Sequence, residues 1–274
     1  MQGTMDKETI IVSMTTWPPR SEAAVKAMQS ITNQEHSMPV HFVLVLSKDE
    51  WENNFQSYRM MEAMIEDMDV EIIWDYGNIK SHKKLIPTLQ RYPDNAILVV
   101  DDDMIQQDGW LEQFIQDHQQ HPNNIIYGHA GSRVIIRNGR IEEGLAQRGI
   151  YTYPGCVTFN EKPANGSAGT LYPAGTFTDH RFFDRETFMR LTPTSDETWQ
   201  WAWAVMTECT FRCLSSYNHP IPIKGASNPL FHTNIGKYTQ YHNAIASEFP
   251  EYKEKLQERI SQNPIHYKPK YNEL

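Results

Sequence analysis

Between residues 10 and 100 the chain sets four short apolar runs, Ile10–Met14, Val40–Leu46, Val70–Trp74 and Ala96–Val100, among longer amphipathic stretches. Runs of four to eight residues rich in Val and Ile read as strands. Apolar residues three and four apart, as in Ala24, Met28 and Ile31 or in Leu85, Ile86 and Leu89, read as helices. The spacing predicts helices that start at Ser21, acting as cap, and that cover Trp51–Met68 and Ser81–Tyr92. Strands that alternate with helices pair in parallel, because each crossover carries a helix over the sheet. The expected fold is therefore α/β, with a mostly parallel, doubly wound sheet flanked by helices and an irregular region following it. Such sheets bind ligands outside the carboxyl ends of their strands. Three polar groups fall at those ends: Thr15-Thr16-Trp17-Pro18-Pro19-Arg20, Asp75 before Gly77-Asn78, and Asp101-Asp102-Asp103.

The second half is less regular. Asn138-Gly139 predicts a hairpin turn. Asn165-Gly166-Ser167-Ala168-Gly169 predicts a loop with close backbone approach, its match to a glycosylation sequon being read as chance. Thr194–Met206 is a helix in which Thr194 and Glu197 have capping-box spacing. Trp199 and Trp203 share one face of it and Trp201 the other, so it is expected to be buried on two sides, with at least two of the three in the core. Residues 251–274 read as a mixed-charge helix and tail. With no repeat or linker, one domain over 1–274 is expected, with a nucleotide-binding half at about 9–105 and an acceptor-side half at about 106–250.

Lys and Arg total 25 against 34 Asp and Glu, a net charge of −9, which disfavours a polynucleotide partner while allowing a local basic pocket. The three cysteines, Cys156, Cys209 and Cys213, form no CxxC pair, so neither a disulfide scaffold nor a zinc site is expected and a reducing compartment is the default. Cys209–Cys213 reads as a buried strand entry. The opening MQGTMDKETI lacks the build of a signal peptide, and no apolar run approaches the ~20 residues of a membrane span. The expectation is a cytoplasmic protein, acting at the cytoplasmic membrane face if its acceptor is lipid-linked.

Three adjacent carboxylates repel one another, and packing offers no reason to gather them at a strand end. A hard divalent cation offers one, since Mg²⁺ or Mn²⁺ takes oxygen ligands and bridges them to phosphates. Strand alternation would point Asp101 and Asp103 one way and Asp102 the other. The plain alternative is an acidic solvated loop that ends a strand.

On these residues the chain resembles the GT-A fold nucleotide-sugar glycosyltransferases, in particular the bacterial family-2-like enzymes of surface polysaccharide assembly. The resemblance spans most of residues 9–235 and rests on four pieces in order: IVSMTTWPPR, DYGNIKSHKKLIPTLQRYPDNAILVVDDDM with its DxD, GSAGTLYPAGTF and TSDETWQWAWAV. It implies that Asp103 binds Mn²⁺ or Mg²⁺ and that Asp101 contacts metal or ribose. It further implies that Thr15, Thr16, Arg20, Asp75, Lys84, Asp101 and Asp102 surround the nucleotide, with Asp75 reading the base. Lys80 and Lys83 are further candidates for neutralising phosphate, although a helix cannot turn both Lys83 and Lys84 inward. Gly166, Gly169 and Gly175, with Tyr172 and Pro173, resemble the loop that shapes the sugar and acceptor pocket, and the tryptophans of the late helix are alternative sugar-stacking residues. Asp196 or Glu197 would be the general base, against the alternative that both merely suit a first helical turn. His232 is either a late metal ligand or structural.

The implied activity is that of a metal-dependent hexosyltransferase. It would move a sugar from a UDP-sugar, ahead of a GDP-sugar, to a glycan or lipid-linked saccharide in polysaccharide biosynthesis, with inversion. Rival readings are a two-metal phosphoryl-transfer enzyme or nuclease, and an inactive sugar-binding module. The first lacks a GxxxxGK[ST] loop and leaves the late acidic pair unused; the second leaves four carboxylates unexplained.

Overall fold

A computed structural model describes residues 5–75, 77–128, 130–144, 147–148, 155–163, 168–216, 219–226, 233–234 and 236–262. The expected strands form as β1 (Ile10–Thr15), β2 (Val40–Ser47), β3 (Val70–Asp75) and β4 (Ile97–Val100). They lie side by side in the order β3-β2-β1-β4, all parallel. Beyond them come β5 (Met104–Ile105), β6 (Asn124–Tyr127), β7 (Ala130–Arg137), β8 (Arg140–Glu143), β9 (Gln147–Arg148), β10 (Val157–Thr158), β11 (Glu161–Pro163), β12 (Thr170–Tyr172), β13 (Thr210–Cys213) and β14 (Ile221–Pro222). The central sheet continues from β4 through β12, β6 and β13 to β10, eight strands in all. β12 is antiparallel to both its neighbours, while β6 and β13 are parallel to each other. Chain order reverses between β1 and β4, the switch point where doubly wound sheets open a crevice.

Alternate residues of these strands feed two cores. Ile97 and Val99 of β4 pack on the face that holds helices Ile86–Arg91 and Asp196–Met206. Leu98 and Val100 pack on the other, beneath helices Ser21–Thr32, Phe55–Ile65 and Trp110–Gln120. Because both faces are covered, the parallel strands read as unbroken apolar runs. Trp199, Trp201 and Trp203 are all fully buried, so packing accounts for all three. Their helix is enclosed by Phe182 and Phe249 on one side and by Tyr252, His242 and Phe211 on the other.

The Asn138-Gly139 turn joins β7 to β8 with positive φ at both residues, the conformation a two-residue hairpin requires. Gly169 has φ +83°, and a Cβ there would stand 2.6 Å from Trp110, which confirms the close approach expected of this loop. Cys213 ends buried on β13, as its strand pattern suggested.

Several local expectations fail for identifiable reasons. Ser21 lies inside its helix, whose cap position is taken by Arg20 without a side-chain bond. The 51–68 helix is two pieces, Lys48–Trp51 and Phe55–Ile65, parted at Glu52-Asn53-Asn54, where polar residues compete for backbone bonds. The 81–92 helix begins as a 3₁₀ turn over Lys80–Lys84 before Ile86–Arg91, because Pro87 lacks the amide a continuous helix would need. The Thr194–Glu197 capping box does not form: Thr194 turns to Asn234 and Tyr241 instead. Among the described residues no helix is long and apolar enough to cross a membrane.

Candidate active site

The carboxyl ends of β1 and β4 lie side by side, so the segments that follow them must meet. Thr16 donates a hydrogen bond of 2.7 Å to Asp102, and one Arg20 terminal nitrogen lies 2.6 Å from oxygens of both Asp102 and Asp103. Arg20 is aimed there because Pro18 and Pro19 bend the chain into a single 3₁₀ turn directly after β1. Asp102 is buried, and its carboxyl rises to about 6: burial outweighs the opposing Arg20 charge and the Thr16 bond, with Asp101 and Asp103 adding to the rise. Thr15 sits at the same strand end but spends its hydroxyl on the Val45 carbonyl at 2.7 Å. The triplet lies in a turn past β4, not in the strand, so its side chains spread farther than strict alternation allows.

Asp101 takes a different basic partner. It accepts a bond of 2.8 Å from Lys84, whose ammonium also lies 3.3 Å from Asp196. Lys84 is buried among these carboxylates. Burial alone would lower its pKa, but Asp101 and Asp196 hold it above the usual lysine range. Asp196 responds in the opposite sense: Lys84 and His82 overcome its burial and hold the carboxyl down at about 2. Glu197, one residue on, goes the other way. Burial pushes it up to about 7, with the Asp196 charge adding to the rise and Lys162 and Lys84 opposing it. Two neighbouring acids at one helix start are thus driven apart, one locked as an anion and one poised near neutrality.

Sequence candidates therefore fall into two linked groups, Thr16–Arg20–Asp102–Asp103 and Asp101–Lys84–Asp196–Glu197. Asp75 is half-buried at the end of β3, two strands from β1 and so roughly 10 Å to the side by strand spacing. Lys83 is buried too, contrary to the expectation that the two lysines cannot both turn inward. A 3₁₀ turn permits this by fanning successive residues apart, and Lys83 pairs with Glu50 instead of the site. Lys80 is exposed, at φ 52°. Tyr172 is buried and bonds Gln200 at 2.9 Å, and Gly169 backs onto Trp110, so both serve packing. His232 and Gly166 lie outside the described residues.

Among the described residues no three His, Cys, Asp or Glu side chains close into a metal cage. Asp101 and Asp103 nevertheless suit a hard cation that fills its shell with phosphate and water. Both carboxylates are partly exposed, at 33% and 24%, and each spends one oxygen on a basic partner. Asp103 stays above its ordinary value, chiefly through burial and then through the Asp101 charge, so negative potential remains there despite Arg20 and Lys84.

Sequence reasoning missed a second polar cluster behind Glu197. Lys162 of β11 lies 3.2 Å from Glu143 at the end of β8 and 3.8 Å from Glu197. Glu143 also accepts bonds from Ser132 and from His242, the latter at 2.6 Å, and His242 meets the Tyr252 hydroxyl at 2.7 Å. No motif marks these residues; their one signal is charge in segments that otherwise read as strand or helix core.

The fold is a mixed α/β one, with a large, mostly parallel central sheet flanked by helices. Similar solved structures include three of S. aureus TarS residues 1–349. The first matches at 15% identity and TM-score 0.51, over 88% of this chain and 72% of that one. The complex with UDP matches at 14% and 0.53, over 92% and 70%. The complex with UDP-GlcNAc matches at 13% and 0.54, over 92% and 71%. No protein-family model and no curated protein matches the chain.

Proposed function

We propose that this protein is a nucleotide-sugar glycosyltransferase, with a UDP-sugar as donor, a saccharide hydroxyl as acceptor and Glu197 as general base. One observation carries the reading: Lys84 ties Asp101, in the acidic turn at the switch point of the sheet, to Asp196 at 2.8 and 3.3 Å, which sets the adjacent Glu197 beside that turn. UDP-GlcNAc in the complex of the similarly folded TarS supports the donor class.

In this reading the donor diphosphate lies across the ends of β1 and β4. Arg20, fixed by Asp102, and Lys84, fixed by Asp196, place positive charge beside the oxygens that gain negative charge as the sugar leaves. Asp101 and Asp103 would hold Mn²⁺ or Mg²⁺, with His232 a further ligand. That ion would supply Lewis-acid stabilisation of the departing diphosphate. Glu197 accepts the proton of the acceptor hydroxyl as its oxygen bonds to the sugar carbon and the bond to the diphosphate breaks, leaving nucleoside diphosphate and a protonated carboxyl. A base near 7 suits this task, being substantially ionised at neutral pH yet still basic. Attack opposite the leaving group inverts the anomeric centre. Asp196, held near 2, is better fitted to anchoring Lys84 than to taking a proton.

The test is calorimetric titration of UDP and GDP with Mn²⁺ and then with chelator, on the wild type and on Asp103→Asn and Glu197→Gln. UDP should bind wild type only with the metal, and Asp103→Asn should lose that binding. Glu197→Gln should keep it and lose turnover of UDP-sugars by roughly 10²–10⁴-fold. A folded wild type that binds neither nucleotide overturns the reading.

A further inference from the structure

The cluster behind Glu197 lies apart from the switch-point turn, and through Lys162 it sets a buried charge 3.8 Å from the proposed base. Lys162 is buried, with its ammonium over the Tyr238 ring at 4.8 Å. Glu143 is also nearly inaccessible. Burial lowers the His242 pKa, against the pull of Glu143. Its Nε2–H then donates to Glu143 Oε2, and Nδ1 accepts from the Tyr252 hydroxyl. Glu143 thus remains a full anion, and its first claim is on Lys162, at 3.2 Å against 3.8 Å for Glu197.

We propose that Lys162 is a positioning residue that sets how readily Glu197 gives up its proton, and that Glu143, backed by His242 and Tyr252, sets how much of the Lys162 charge reaches it. The inference rests on the reading of Glu197 as base, but its charge logic can be measured without turnover. Other groups facing Glu197 are Asp196 on its own helix, Lys84 from the 3₁₀ turn, and Tyr238, whose hydroxyl bonds it from helix Tyr238–Glu248. Lys84 is already shared between Asp101 and Asp196, so Lys162 is the cation whose balance Glu143 controls.

Opposite substitutions should then move Glu197 in opposite directions. Lys162→Met removes the counter-charge and raises the Glu197 midpoint. Glu143→Gln keeps a carbonyl oxygen as acceptor toward Ser132, turns its amide N–H toward His242, whose Nε2 can accept in the other tautomer, removes the charge that holds Lys162, and so lowers the midpoint. Lys162→Arg keeps the charge and stays near wild type. Opposite charges at this range shift a carboxyl by about one pH unit or more. The experiment is ¹³C NMR titration of the full chain labelled in glutamate carboxyls, with the Glu197 signal identified by its loss in Glu197→Gln. The acid limb of UDP-sugar turnover against pH is measured in parallel.

Opposed shifts of about one unit, followed by the turnover limb, support the proposal. Shifts in the same direction, or none, in variants whose circular dichroism is native, overturn it. If Lys162→Met does not fold, Glu143→Gln decides alone, by lowering the midpoint or failing to. Opposed NMR shifts with a pH-independent turnover would sustain the charge coupling while removing Glu197 as base, so the two failures are told apart.

Discussion

Replacing Lys84 with Met tests the centre of the site, because its ammonium ties the acidic turn after β4 to the start of the late helix, lying 2.8 Å from Asp101 and 3.3 Å from Asp196. At an effective dielectric of about 20 these distances correspond to gross attractions of about 6 and about 5 kcal/mol. The Asp101 share must be discounted, since that carboxylate is 33% exposed and is screened by water. Asp196 is only 2% exposed and cannot be compensated by solvent. Losing the cation leaves Asp196 as an uncompensated buried charge, for which about 3–5 kcal/mol of destabilisation is expected. Asp196 should then respond by taking up a proton, its carboxyl rising from about 2. The assay is urea unfolding at neutral pH of wild type, Lys84→Met, Asp196→Asn and the double variant, with midpoints compared at constant slope. Asp196→Asn alone leaves Lys84 with Asp101 and should cost about 1–2 kcal/mol. The double variant should recover about half of the Lys84→Met loss, because no buried charge is stranded. A Lys84→Met protein within about 1 kcal/mol of wild type, or a double variant no better than Lys84→Met, would refute the argument that the pair is mutually required.

Stability should also show two limbs against pH. Asp196 has a folded value near 2 against an ordinary 3.8, so its contribution of about 2 kcal/mol is present above 3.8 and is lost as pH falls through 2. Glu197 has a folded value near 7 against an ordinary 4.5, so its contribution, on the order of 3 kcal/mol, is complete below 4.5 and is lost as pH rises through 7. Urea midpoints of Asp196→Asn and Glu197→Gln across this range should each lack one limb. Gly169→Ala combines a left-handed backbone with a Cβ 2.6 Å from Trp110, and should cost about 2–4 kcal/mol. Gly175→Ala has φ +75° but open space around it and should cost only about 1–2 kcal/mol; equal losses in thermal melts of the two would discount the close contact.

Much of the architecture is a local matter. Near-continuous apolar runs, separated by amphipathic stretches, require a parallel sheet with covered faces whatever lies elsewhere in the chain, and all four early strands formed where that pattern lay. Asn138-Gly139 likewise carries its own turn, since few other residue pairs accept positive φ twice in succession. The aspartate triplet could be read because repulsion among neighbours in sequence is itself a local fact. Segments where a partner distant in sequence outcompeted a local preference were misread: the Thr194 hydroxyl bonds Asn234, 40 positions on, instead of the helix start it was expected to cap.

The division of labour between Asp196 and Glu197 belongs to a different level. In sequence they are adjacent acids in a first helical turn and chemically almost alike. Lys84 comes from 112 positions upstream and pulls one down, while Lys162, already engaged by Glu143, leaves the other to the effect of burial. A carboxyl's proton affinity depends on charges within a few ångströms and on the water excluded around it. Sequence determined which groups were available and at which edge of the sheet they would stand. Only the packing of β8, β11 and the 3₁₀ turn around one helix start decided which acid is locked as an anion and which is poised near neutrality, because that depends on distances between segments that the order of residues does not specify.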